Sequence, residues 1–189
     1  MPTGPDPVGS STTVLIVLRG NSAAGKSTVA AALRSRLGRG VALVEQDYLR
    51  RTVLREHDRP DLPNIGLIDM TIRYALNAGY HVIADGIFGS QHYGSMLRRL
   101  SGDHRGPTFH YYFDIPLVET QTRHLTKAHT VPAGKLAEWY HSNDLLELPE
   151  EQVILPSESA ADIVDRIVRD VGLHNPPIRT ELEPEAHLA

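Results

Sequence analysis

The stretch Gly20-Asn21-Ser22-Ala23-Ala24-Gly25-Lys26-Ser27 constrains this chain more than any other. It satisfies Gly-x-x-x-x-Gly-Lys-Ser/Thr without a mismatch, and Thr28 follows it. Residues 14–18, Val-Leu-Ile-Val-Leu, have the continuous apolar character of a buried parallel strand, and residues 27–37 have the pattern of a helix. A strand, this loop and a helix in succession form a phosphate-binding unit. Its two glycines let the backbone curl until successive N–H groups point inward at an anion. The helix N-terminus faces the same anion. Lys26 is placed to reach the outer phosphates, and the Ser27 hydroxyl to bind Mg²⁺.

The rest of the chain alternates in a way that suits this unit. Strands are expected at 14–19, 41–45, 81–84, 108–113 and 152–155. Helices are expected at 27–37, 48–55, 64–78, 91–100, 116–126 and 159–171. Asn64 is a candidate N-cap, and Ser159 with Asp162 forms a candidate capping box. Near-continuous apolar strands separated by helices predict an α/β fold, a five-stranded parallel sheet with helices on both faces. The polar span 127–151, with Pro132, Gly134, Pro149 and the single tryptophan, interrupts the alternation and is expected to be a helical lid. Residues 1–12 and 174–189 are expected to be tails, leaving one domain at 13–173.

Composition excludes several other classes. The 189 residues contain no cysteine, so no disulfide framework or thiolate metal site is available. A net charge of −4 gives no basic footprint for nucleic acid. No apolar run is long enough to span a bilayer, and residues 1–12 lack the pattern of a signal peptide, so a cytoplasmic location is expected. The ten histidines are scattered and show no metal-ligand spacing.

In open parallel sheets ligands bind along the edge formed by the strand C-termini. That edge should carry the loop, Asp47, Asp85 and the residues after Asp114. Asp47 is placed to accept the proton of a substrate hydroxyl, or else to cap the next helix. Asp85 ends the third strand, where a carboxylate holds Mg²⁺ or contacts substrate, and Gly86 allows close approach of backbone to ligand. Arg123 and Lys127 share a helix face before the lid and could close over a transferring phosphoryl group. Arg51, with Arg50 and Arg55, could meet an acidic acceptor. Trp139 could pack the lid or line the acceptor pocket.

Taken together, residues 20–27, a carboxylate after the second strand, the 81–85 strand end and the Arg123 helix resemble the small-molecule kinase branch of the P-loop NTPase fold. The arrangement is similar to chloramphenicol phosphotransferase-like, gluconate-kinase-like and shikimate-kinase-like enzymes, and more distantly to zeta-toxin-like kinases. The resemblance covers about residues 13–173 as architecture, and only the first loop is a specific match. It implies ATP and Mg²⁺ as cofactors and transfer of the γ-phosphoryl group to a hydroxyl of a small molecule, by a monomer or homodimer. Antibiotics and nucleoside-like compounds are among the acceptors of such enzymes. Two alternatives stay open: a zeta-toxin-like or nucleotide-precursor kinase, and a regulatory ATPase with no small-molecule acceptor. A guanine-specific GTPase is disfavoured, because the nearest string to Asn-Lys-x-Asp, Thr126-Lys127-Ala128-His129, lacks the aspartate.

Overall fold

Strand side chains alternate between two faces, so a strand that is apolar throughout must be covered on both. The computed structural model, which describes residues 7–125 and 137–173, satisfies this demand with a five-stranded, all-parallel sheet. The strands are β1 (Leu15–Gly20), β2 (Val41–Glu45), β3 (His81–Asp85), β4 (Thr108–Phe113) and β5 (Glu151–Ile154), in the order β2-β3-β1-β4-β5. The helices are α1 (Lys26–Leu37), α2 (Pro63–Asn77), α3 (Ser90–Asp103), α4 (Leu117–Leu125) and α5 (Ala160–Val171). On one face Ile16, Leu18, Ile83, Tyr111 and Phe113 pack with Leu33 of α1 and Ile167 of α5. On the other, Leu15, Val17, Val82 and Ala84 pack with Ile68 and Ile72 of α2 and Leu97 of α3. Alternate residues of β1 therefore enter opposite cores.

Local chemistry explains most of the element ends. Ser159 accepts a hydrogen bond from the Asp162 N–H at 3.2 Å, the cap expected for α5. The expected helix after Asp47 is instead wound as a π-helix over Tyr48–Leu54. Asn64 is not a cap: α2 starts one residue earlier at Pro63, and the buried Asn64 amide donates to the Tyr93 hydroxyl at 2.9 Å. Pro63 fits the first helical position because its missing N–H has no partner there in any residue. The ordered unit also begins earlier than residue 13. Val8 is buried, its N–H donates to the Asp103 carbonyl at 2.9 Å, and the Gly9 N–H donates to Asn77 at 2.7 Å. Residues 126–136 and 174–189 lie outside the described residues, as do Lys127 and most of the helical part expected for the lid. Residues 139–150 carry no helix or strand, and Leu146 within them is fully buried.

Arg19 is completely buried in the central strand. Its guanidinium donates to Glu151 at 2.7 Å, to Asp144 at 2.8 Å and to the Phe88 carbonyl at 3.2 and 3.3 Å, and it stacks on the Tyr112 ring at 5.2 Å. Removing one partner of a buried ion pair strands the other charge in a low dielectric. Arg19→Met should therefore cost about 3–5 kcal/mol in unfolding free energy, measured by urea denaturation.

His110 makes a second buried polar site, with its Nε2 2.8 Å from the Ser101 hydroxyl. Burial, and then the nearby Arg19 charge, depress its pKa from 6.5 to about 4. The unfolded chain takes up a proton near 6.5 that the folded chain refuses until about 4. Stability is thus complete above pH 6.5 and is lost as pH falls through this window, by on the order of 3 kcal/mol from this one residue. His81 and His104, lowered by burial, act in the same sense. His110→Gln should flatten the stability profile between pH 4 and 6.5, as read by denaturation at a series of pH values.

Candidate active site

The phosphate loop is built around two glycines with conformations that other residues resist. Gly20 has φ +137°, and a Cβ there would lie 2.7 Å from the Phe113 carbonyl oxygen. Gly25, at φ +100°, turns the chain into α1. Between them the Asn21 carbonyl accepts from the Ala24 N–H at 3.3 Å and from Lys26 Nζ at 2.7 Å. Lys26 is buried while Ser27 and Thr28, on the first turn of α1, are exposed. The Lys26 side chain thus folds back onto the backbone of its own loop.

The sheet register brings Asp85 alongside. Leu18 pairs with Asp85, and Glu45 pairs with Asp85 from the other side. The Gly20 N–H then donates to the Ile87 carbonyl at 3.3 Å, which continues the contact past the strand ends. Asp85 is buried at this edge. Gly86 follows it in a tightly packed position. A Cβ there would lie 2.7 Å from Cβ of Gln46 and 2.9 Å from the Phe88 ring, so close packing is what excludes a side chain.

Two cavities meet at the loop. One, of about 540 Å³, is lined by residues 23–29, Phe113, Arg123 and the segment 156–160 after β5. The other, of about 570 Å³, is lined by Ser22, Asp47, Arg51, Asp58 and Trp139 among others. Both have the size of small-molecule sites. The last turn of α4 belongs to both: Arg123 faces the first and His124 the second. Arg123 also donates to the Ala24 carbonyl at 3.1 Å and pairs with Glu119, so this helix is tied to the phosphate loop.

In the second cavity Asp47 is half-exposed and does not cap the following turn with its side chain. Its Oδ1 accepts from Arg50 at 2.7 Å and pairs with Arg51 at 3.2 Å. Trp139 is 44% exposed, so it lines the cavity without being packed into the core. Of the expected site residues, then, Ser22, Asp47, Arg51 and Trp139 share one cavity, residues 23–28 and Arg123 share the other, and Asp85 sits in the sheet edge beside the loop. Four histidines that are scattered in sequence, His57, His92, His124 and His141, also converge on the second cavity. Among the described residues no group of three or more His, Asp or Glu is arranged to hold a metal ion.

Sequence reasoning misses Asp58 and Asp144. Asp58 is held by the Tyr93 hydroxyl at 2.8 Å and by Gln46 at 3.2 Å, and Tyr93 also accepts from Gln46 at 2.8 Å. Burial is the main reason the Tyr93 phenol is pushed far above its usual pKa. It is therefore a neutral donor to Asp58. Asp144 accepts from Arg19 and from the Ser90 N–H at 3.0 Å, joining the wall of the cavity to the start of α3. The loop 57–63 shows no signal for Asp58, because its partners come from the residue after β2 and from α3.

The fold, the loop and the paired cavities define a P-loop nucleotide-binding protein. Residues 15–147 match the AAA domain family, and the chain belongs to that family. No curated protein sequence matches it. Solved structures with the same fold include the APS kinase of Mycobacterium tuberculosis, at 19% identity and TM-score 0.63, covering 87% of this chain and 98% of that one. A gluconokinase from Sinorhizobium meliloti is similar at 18% identity and TM-score 0.60, covering 87% and 91%. A tunicamycin resistance protein of Deinococcus radiodurans is similar at 18% and 0.63, covering 87% and 99%. The fold is shared with kinases whose acceptors differ. No helix among the described residues is long and apolar enough to cross a membrane.

Tyr93→Phe should leave Gln46, Asn64 and Asp58 each short of one partner. The expected cost is about 1–3 kcal/mol of stability, read from thermal or urea unfolding.

Proposed function

We propose that this protein is an ATP-dependent kinase that transfers a phosphoryl group to a hydroxyl of a polar small molecule. The observation that carries this reading is the division of space at the phosphate loop. Ser22 lines one cavity and residues 23–29 line the other, so a terminal phosphate held by the loop would lie between two rooms of similar size. We assign the cavity with the 156–160 segment to the nucleotide and the cavity with Asp47 to the acceptor. A switch that only hydrolyses nucleotide has no need of the second.

The loop N–H groups and Lys26 bind the β- and γ-phosphates. The oxygen donors Ser27 and Asp85 suit a hard cation such as Mg²⁺, which typically keeps waters and phosphate oxygens as its other ligands. When bound, Mg²⁺ supplies neutralisation of phosphate charge. Asp47 orients the acceptor hydroxyl and takes its proton. Because Arg50 and Arg51 both engage Oδ1, we assign Oδ2 to that hydroxyl. A bond forms between the acceptor oxygen and the γ-phosphorus while the bond from that phosphorus to the bridging oxygen breaks. Arg123, bound to the loop, lies where charge develops on the phosphoryl group, and Lys127 is proposed to assist it. Arg51, Asp58 and Trp139 contact the acceptor, Asp58 as an acceptor of its hydroxyl or amino hydrogens.

The family resemblance and the structures of an APS kinase, a gluconokinase and a tunicamycin resistance protein support a small-molecule acceptor, with antibiotics and nucleosides among the candidates. An ADP-release screen over sugars, sugar acids, nucleosides and antibiotics, with mass spectrometry for a product heavier by one phosphoryl group, identifies it. Lys26→Ala should then lower kcat/KM by at least about 10²-fold. Asp47→Asn should lower kcat by about 10²–10⁴-fold, with nucleotide affinity nearly unchanged by calorimetry. ADP release that no compound accelerates would instead mark a regulatory ATPase.

A further inference from the structure

The phosphate loop is tied to the wall of the acceptor cavity by a side chain that the mechanism above does not use. Asn21 is buried within the phosphate loop. Its backbone oxygen accepts from Lys26 Nζ at 2.7 Å. Its side-chain amide pairs with the backbone of His141 in both directions: Nδ2 donates to the His141 carbonyl at 2.7 Å, and the His141 N–H donates to Oδ1 at 3.0 Å. The amide thus imitates a strand neighbour for a segment, residues 139–150, that has no strand of its own. The Tyr112 hydroxyl adds a bond to the same His141 carbonyl at 3.1 Å, and the Asp144 N–H donates to that hydroxyl at 3.2 Å. The segment so held supplies Trp139, His141 and Asp144 to the wall of the acceptor cavity.

We propose that Asn21 is a positioning residue that couples occupancy of the phosphate loop to the shape of the acceptor cavity. This rests on the phosphotransferase reading, in which Lys26 turns to the phosphates of bound nucleotide. One donor then leaves the Asn21 carbonyl, and the peptide following Asn21 can reorient toward the anion. The side chain on the same residue carries His141, and Trp139 two residues before it, along with that change. Nucleotide binding would in this way set the acceptor wall before the acceptor arrives, a form of pre-organisation that lowers the later cost of binding. A residue that merely packed the loop would influence stability and leave Trp139 insensitive to nucleotide.

The chain has a single tryptophan, so its fluorescence reports this wall directly. The Mg²⁺ complex of ATP, or its β,γ-imido analogue, is titrated into the protein while Trp139 emission is followed and the binding constant is measured by calorimetry. The emission should change saturably with that same constant. The His141 amide should change its hydrogen-exchange rate by about two- to tenfold when nucleotide binds. Asn21→Ala should still bind nucleotide by calorimetry, with the Trp139 response reduced at least about threefold. Tyr112→Phe, which keeps the Asn21 pair, should retain the response. Nucleotide binding with silent Trp139 and unchanged His141 exchange overturns the coupling and leaves the kinase reading intact, and so does a full response in Asn21→Ala. Absence of nucleotide binding overturns both. If Asn21→Ala does not fold, the exchange of His141 in the unaltered protein decides.

Discussion

A charged side chain with no water around it must find every partner within the protein, and Arg19 is such a side chain. It projects from the central strand one residue before the phosphate loop, and its partners come from four separate stretches of chain. Glu151 begins β5, Asp144 lies in the segment before it, Phe88 follows β3, and Tyr112 belongs to β4. Each stretch leads into the wall of a cavity. β5 leads to residues 156–160 beside the first cavity, while Asp144 and the turn after Phe88 border the second. The guanidinium is therefore the fixed point from which both rooms are hung, and the stranding of its partners penalises any arrangement in which one stretch drifts away.

Around that point the loop acts as a partition. Gly20 packs closely on the Phe113 backbone where β1 meets β4, and Gly25 turns the chain into α1. Lys26 and the Asn21 carbonyl close the ring. What gives the loop its chemistry is N–H direction, and this is set by backbone conformation rather than by side chains.

The phosphate loop, the parallel sheet and the strand boundaries were readable in sequence because each follows from local pattern: a fixed string, apolar runs, and turn residues. The Ser159 cap was readable for the same reason. Asn64 misled because its cap chemistry is real but its side chain found a better use, in the core against Tyr93. Val8 was invisible because one apolar residue amid prolines gives no period, and its burial depends on His104 and Asp103 from a distant helix end. Asp47 and Arg123 were singled out by position relative to strands and helices. Asp58, Asp144 and the Asn21–His141 pair were not, since their meaning lies in partners from 12 to 125 residues away that no local spacing announces. Histidines spread along the sequence likewise gather at one cavity only through tertiary folding.

The end of α4 deserves a last consideration as a matter of angle. Successive residues on a helix point roughly 100° apart, and here that single step separates a side chain in one room from its neighbour in the other. Position 124 can thus be altered in size or charge to reshape the second cavity while the guanidinium at 123 stays on the loop. A one-residue insertion or deletion within α4 has the opposite character. It would rotate the wrong side chain toward each cavity at once, disturbing the lining of both together. The helix tolerates substitution at its tip but not a shift of phase.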